Sequence, residues 1–390
     1  MGNPFAKATL KNELDKAIKN KHGYLPHRLI DSLCQLGIIQ SKNPLDDNQV
    51  QPVSLDLRLG PKAYRIQSSF LPENESVETK LKELQLYDFE IIDGGILEKG
   101  AVYLIPLVEE LVFPKDFYGL TNPKSSTGRL DMFTRVIVDN GHRFDEIPSG
   151  YRGKLYLEII SRTFPVRVKS GMKLNQMRIY KGNPELSDNS LKAEYKKQSV
   201  LYNKSGVPVP ASQVKVDNGL FIGVDLEGKP GKTVVAYKAK HNSRVIDLTK
   251  VWHYDPRDFW EPVYPLKKNR LILEPESFYI MVSKERICIR PHLLAEMVAY
   301  EPNSGELRTH YAGFFDPGFG WFGEEDGKPQ GTKAVMEVRP HDVPFMVEDG
   351  QTFCRLKFEK TIEPPTLIYG HNIKSNYTTQ NLALSKYFKT

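Results

Sequence analysis

Cysteine is scarce in this chain of 390 residues, and long apolar runs are missing. The three cysteines, Cys34, Cys288 and Cys354, are far apart, and no Cys-x-x-Cys pair occurs. This excludes a disulfide framework and a cysteine-rich zinc site as organising features. No apolar stretch approaches the ~20 residues of a membrane-crossing helix. The opening segment "MGNPFAKATLKNELDKAIKNK" has no apolar core of a secretory signal. It begins Met-Gly, but Ala6 stands where a myristoylation signal needs Ser or Thr. A cytoplasmic protein without a membrane partner is expected. Basic blocks are also absent, and the net charge of +6 is mild. Such a surface suits an anionic small ligand, and neither DNA nor RNA is expected.

What the chain does contain is enough for a folded core, with 40% hydrophobic and 26% charged residues. Its length exceeds one typical domain, so two are expected. Helical spacing is confined to "ATLKNELDKAIKN" and "LPHRLIDSLCQLGII" near the start. Beyond them come short apolar or alternating runs cut by Gly, Pro, Asn and Asp, such as "AVYLIPLVEELVF", "KLYLEII" and "SFYIMVSKERICI". This pattern predicts a mainly β protein of sandwich or barrel type with short N-terminal helices.

The strand-like runs repeat. "ILEKGAVYLIPLVEELVFP" from Ile96 matches "ILEPESFYIMVSKERICIR" from Ile272, 176 positions later. "KLYLEI" and "KAVMEV" then align Glu158 with Glu337, 179 positions apart. "PVRVKSGMKLNQMRI" and "PFMVEDGQTFCRLKF" keep that spacing, and "AEYKKQ" is echoed by "SNYTTQ". Matches in constant order at a nearly constant offset predict a tandem duplication. The domains are expected at 1–205 and 206–390, with the Gly-, Pro- and Ser-rich "YNKSGVPVPASQ" as the seam. The copies differ where it matters. Where the first has "KSSTGR", "RPHLLAEMVAYEPNSGELRTH" of the second has no Ser-Ser and no Arg at that spacing, and where the first has "QPVSLDLRLG" the second has only "LFIGVDLEG". A structural role would persist in both copies, so the first is expected to carry a site and the second to serve as scaffold.

"QPVSLDLRLG", "KSSTGR", "HRFD…SGYRGKLYLEI", "VKSGMKLNQMRI" and "AEYKKQ" occur in the order found in dCTP deaminases of the trimeric dUTPase superfamily. The tandem arrangement resembles the long bacterial form, and the likeness spans all but about the first twenty residues. The resemblance implies two dUTPase-like distorted β-barrel domains, a homotrimer, and zinc-independent hydrolysis of dCTP to dUTP and ammonia. Magnesium would arrive on the triphosphate. The lack of zinc agrees with the residues, because zinc deaminases need His-x-Glu followed by Pro-Cys-x-x-Cys.

The resemblance also implies roles. Glu158 matches the catalytic glutamate, a base toward water and then an acid toward ammonia. In "KLYLEII" it alternates with Leu155, Leu157 and Ile159, so it points away from that apolar stripe. An exposed strand glutamate would share this pattern. Ser125 and Arg129 fall on a serine and an arginine assigned to phosphate contact and to orienting the water and carboxylate. Lys124 and Ser126 would add phosphate donors, although a cap before a short helix would also use such serines. Gln176 matches a position near the phosphates. His142, Arg143 and Asp145 match an "HRID" segment whose aspartate lies near the deoxyribose. Here the family's "DPGW-x-G" is lengthened to "DEIPSGYRG", and "DNG" is inserted ahead of His142. Asp56 is expected to support the barrel. Tyr195 and Gln198 resemble the flap that closes over the triphosphate. Two other readings stay open, a dUTP diphosphatase or bifunctional enzyme giving dUMP, and a non-catalytic nucleotide-binding regulator. Whether the second copy lends residues to the site is also open.

Overall fold

Alternation of apolar and polar residues becomes strand after strand, as the sequence predicts. The computed structural model describes residues 4–299, 307–308, 313–323, 331–371, 377 and 380–389. Two compact units emerge. The first comprises Met1–Pro184 with Arg244–Val251 and Lys360–Leu367, and the second Glu185–Ser243, Trp252–Glu359 and Ile368–Thr390.

In the first unit the strand Arg152–Ser161 runs antiparallel between Val102–Val112 and Met132–Ile137 in a six-stranded sheet. Leu155, Leu157 and Ile159 are fully buried on one face of it. A further sheet is built on Lys173–Lys181, which pairs with Phe117–Pro123 on one edge and Leu55–Arg58 on the other. The N-terminal helices are Pro4–Ile18 and His27–Leu36. The latter stops at Gly37, whose φ of 74° lets its N–H close onto the Cys34 carbonyl, a conformation that favours glycine. A helix not evident from periodicity, Val77–Leu84, is started by Ser76, whose side chain accepts the Thr79 N–H.

The duplication is visible in the hydrogen-bond register. Glu158 lies opposite Leu104 in the first copy, and Glu337 lies opposite Ile280 in the second. Leu97 pairs with Val166, and Leu273 with Phe345, at the same offsets. Even a side-chain bond is copied, since the Tyr103 hydroxyl accepts the Glu98 N–H at 3.1 Å and Tyr279 accepts that of Glu274 at 3.0 Å. Parts of "SNYTTQ" (375–376 and 378–379) and of "RPHLLAEMVAYEPNSGELRTH" (300–306 and 309–310) lie outside the described residues.

The seam differs from the expected 205/206. Helix Asp188–Lys197 and strand Leu201–Tyr202 belong to the second unit, where Leu191, Tyr195, Val200 and Leu201 are buried in its core. The "YNKSGVPVPASQ" stretch is a folded turn rather than a linker. Asn203 Oδ1 accepts the N–H groups of Ser205 at 3.0 Å and Val207 at 2.9 Å, and the Val209 N–H returns to the Leu201 carbonyl at 3.0 Å.

Candidate active site

Glu158 is only 1% exposed, which removes the reading as a solvent-facing strand glutamate. The central position of its strand buries both faces. The face that Glu158 shares with Tyr156 is covered by Leu104, Ile137, Val77 and Leu81, with Phe70 and Phe144 packed alongside. A carboxylate in such surroundings needs compensation. Arg135, directly opposite on the neighbouring strand, gives it two N–H bonds to Oε1, with Nε at 2.9 Å. Oε2 is buried and has no hydrogen-bond partner among the described residues. Sequence reasoning did not single out Arg135. Its only signal is one arginine inside the apolar "MFTRVIV" strand.

Asp145 joins the two sheets around this carboxylate. Its N–H donates to the Val136 carbonyl at 2.9 Å and its carbonyl accepts the Thr121 N–H at 2.8 Å. Its Oδ1 accepts the Thr121 hydroxyl at 2.6 Å and the Val136 N–H at 2.9 Å. The backbone sits at φ 65°, a left-handed conformation that aspartate tolerates. Close packing of Ile147 on Gly119 fixes this segment, because a Cβ on Gly119 would lie 2.8 Å from Ile147 Cδ1. Burial pushes the Asp145 carboxyl up to about 7. The Thr121 and Val136 bonds and the Arg135 charge pull the other way, while the charge of Glu158 adds to the rise.

The strand from Phe117 to Pro123 leads straight into "KSSTGR". Ser125–Gly128 forms one short helical turn, with Ser126 and Arg129 buried and Ser125 half-buried. The Lys124 ammonium is ion-paired with buried Asp56. Gln176 stands in register between Asp56 and Asn122 on the flanking strands, and accepts the Ser54 hydroxyl at 3.2 Å. Lys124, Asp56 and Gln176 therefore form one polar row. Asn175, the next residue, points the other way and donates to the Thr134 carbonyl at 3.2 Å, tying the row to the strand that carries Arg135.

Other residues singled out in the sequence are not drawn into this cluster. The Arg143 side chain is 72% exposed and pairs with Glu146. His142 is exposed and bonded to Glu73. Tyr195 and Gln198 belong to the second unit, where Tyr195 is 4% exposed and its hydroxyl donates to the Val209 carbonyl at 2.8 Å. A side chain so committed is part of a core, which departs from the expected flap contact.

Among the described residues, no group of three or more His, Cys, Asp or Glu side chains could hold a metal ion. Burial pushes the thiols of Cys34 and Cys288 up to about 12 and raises that of Cys354 as well, so none is poised as a thiolate nucleophile. No helix among the described residues is long and apolar enough to cross a membrane.

Comparison with known proteins gives this geometry its context. Residues 21–183 match the family model "2'-deoxycytidine 5'-triphosphate deaminase (DCD) N-terminal domain", and residues 187–388 match its C-terminal domain. A crystal structure of 2'-deoxycytidine 5'-triphosphate deaminase from Agrobacterium tumefaciens is similar at 41% identity and a TM-score of 0.79, covering 88% of this chain and 99% of that one. A dCTP deaminase of Ignicoccus hospitalis is 27% identical over 191 residues, which are 48% of this chain and 96% of the relative. A "dCTP deaminase, dUMP-forming" of Sulfurihydrogenibium sp. is 26% identical over 163 residues, 40% of this chain and 82% of the relative. The chain belongs to the 2'-deoxycytidine 5'-triphosphate deaminase family, a family of hydrolytic enzymes.

Proposed function

We propose that the chain hydrolyses dCTP to dUTP and ammonia without zinc, with Glu158 as general base and the first copy as the catalytic one. One observation carries this reading. Glu158 is a buried carboxylate with one oxygen held by Arg135 and the other without a hydrogen-bond partner among the described residues. Such an oxygen can take a proton from water as the water attacks C4 of the cytosine ring. The C4–N bond then breaks, and the protonated carboxyl returns the proton to the departing nitrogen, so one group serves as base and then acid. The rate gain asked of it is of the order of 10²–10⁴.

Lys124, Ser125, Ser126, Arg129 and Gln176 are assigned to the triphosphate, and the row formed by Lys124, Asp56 and Gln176 supports that assignment. Arginine suits phosphate because its planar fork meets two oxygens together. Asp145, which joins the Phe117–Pro123 strand to the Arg135 strand, is assigned to the sugar. Magnesium enters with the nucleotide, held by phosphate oxygens and water. The protein works in the cytoplasm as a homotrimer.

A dUMP-forming reaction is the second reading, because several relatives carry that name. Incubating the protein with dCTP and magnesium, then separating dUTP, dUMP and ammonia, tests both. Ammonia with dUTP supports the proposal, dUMP supports the second reading, and no ammonia refutes each. Activity lost to a zinc-selective chelator and restored by zinc alone would contradict the zinc-free mechanism.

A further inference from the structure

The Glu158 carboxylate is hydrogen-bonded by Arg135, not by the Arg129 of "KSSTGR". Arg135 is itself restrained on two sides. Its guanidinium carbon lies 3.8 Å from the centroid of the Phe144 ring, and Nη2 donates to Ser69 Oγ at 3.0 Å. Ser69 and Phe144 come from separate loops that the inserted "DNG" segment fastens together. Asn140 donates its N–H to the Glu75 carbonyl at 3.0 Å, and Glu73 donates to the Gly141 carbonyl at 3.2 Å. Asp139 accepts the Val77 N–H at 2.7 Å, which anchors the insert to the start of helix Val77–Leu84. The insertion thus has a purpose that the sequence motifs do not explain.

We infer that Arg135 is the positioning residue for the catalytic carboxylate, and that the Phe144 ring, Ser69 and the Asp139–Gly141 insert hold it in place. This rests on Glu158 being the general base. Burial disfavours an ionised carboxylate, and an opposite charge in direct contact restores it. Asp145 lies in the same neighbourhood, where the Glu158 charge pushes its carboxyl up and the Arg135 charge pulls it down. By taking only Oε1, the guanidinium fixes the plane of the carboxylate and leaves Oε2 to face the attacking water. Stacking on Phe144 keeps the long arginine side chain from leaving this geometry.

The test compares Arg135→Gln and Arg135→Lys with the parent enzyme, using dCTP and magnesium across pH. Arg135→Gln is expected to lower kcat on the order of a hundredfold, as misplacement of a reacting group does, with KM little changed. The acid limb of kcat/KM should move upward by about one to three pH units as the compensating charge is lost. Arg135→Lys should keep the acid limb near its original position but recover only part of kcat, because an ammonium lacks the planar fork. In Arg135→Ala, added guanidinium should restore activity while urea should not. A purely structural role predicts neither the pH shift nor this rescue. Glu158→Gln is run alongside. If that variant stays active, the general-base reading fails and this inference with it. If it is inactive while Arg135→Gln keeps both kcat and its acid limb, only the positioning role is overturned. Should Arg135→Gln not fold, Arg135→Lys decides, since unchanged kcat there contradicts the role of the fork.

Discussion

Glu158 and Glu337 hold one position in two copies of the same ladder, the first across from Leu104 and the second across from Ile280. Both are buried. Their surroundings differ, however. The paired positions Gln176 and Asp56 of the first copy become Arg355 and Phe221 in the second, so that polar pair is lost there. Glu337→Gln is therefore expected to leave deamination almost untouched. Arg129→Ala should cut kcat/KM by about ten- to a hundredfold, the value of one or two hydrogen bonds to a charged group. Steady-state kinetics on the two variants checks this, and comparable losses from both would contradict the scaffold role of the second copy.

Lys124 separates binding from chemistry. Its ammonium is ion-paired with Asp56, whereas the ion pair of Glu158 is with Arg135. Lys124→Ala should raise KM for dCTP by about tenfold while kcat changes little, the signature of an interaction equal in ground and transition states. A fall in kcat at unchanged KM would place Lys124 in the chemistry instead.

The duplication was legible in the sequence because it preserves particular pairs, such as Glu98 with Tyr103 and Glu274 with Tyr279, whose bonds recur in both copies. The β class was legible from turn residues that cut the apolar runs. The domain seam was not, because Gly, Pro and Ser signal a turn equally well inside a unit and between two. "YNKSGVPVPASQ" closes on itself through Asn203. Glu158 could be picked out by motif, but its partner could not. Arg135 is 23 residues away and meets it only through strand register. Tyr195 was misplaced for a related reason, as its motif resembles a flap while its helix is recruited into the core of the second unit.

That placement of Tyr195 has a measurable consequence. Its buried hydroxyl bonds the Val209 carbonyl, so Tyr195→Phe should cost about 1 kcal/mol of stability. The KM for dCTP should stay unchanged. A lowered affinity with unchanged melting would restore Tyr195 to the substrate site.

Asp145 makes stability depend on pH. Burial pushes its carboxyl from the ordinary 3.8 up to about 7 in the folded chain, so folding favours the protonated form. This contribution is full below about 4 and is lost as pH rises through about 7. Asp145→Asn keeps an acceptor for Thr121 and Val136 but cannot ionise. Its melting temperature should fall less than that of the parent between pH 5 and pH 8, a window that follows from the shifted carboxyl. Parallel pH profiles for the two proteins would show that Asp145 does not titrate in this range.

In the proposed mechanism one buried glutamate, Glu158, moves the protons of deamination. Glu158→Gln keeps the shape of the side chain and removes its capacity to accept the proton of water. Single-turnover ammonia release from dCTP, measured with dCTP affinity on the same sample, tests this most directly. Release is expected to be slower by roughly a hundredfold or more, with folding and dCTP binding retained. Release at a near-parent rate from the fully folded variant would contradict that mechanism.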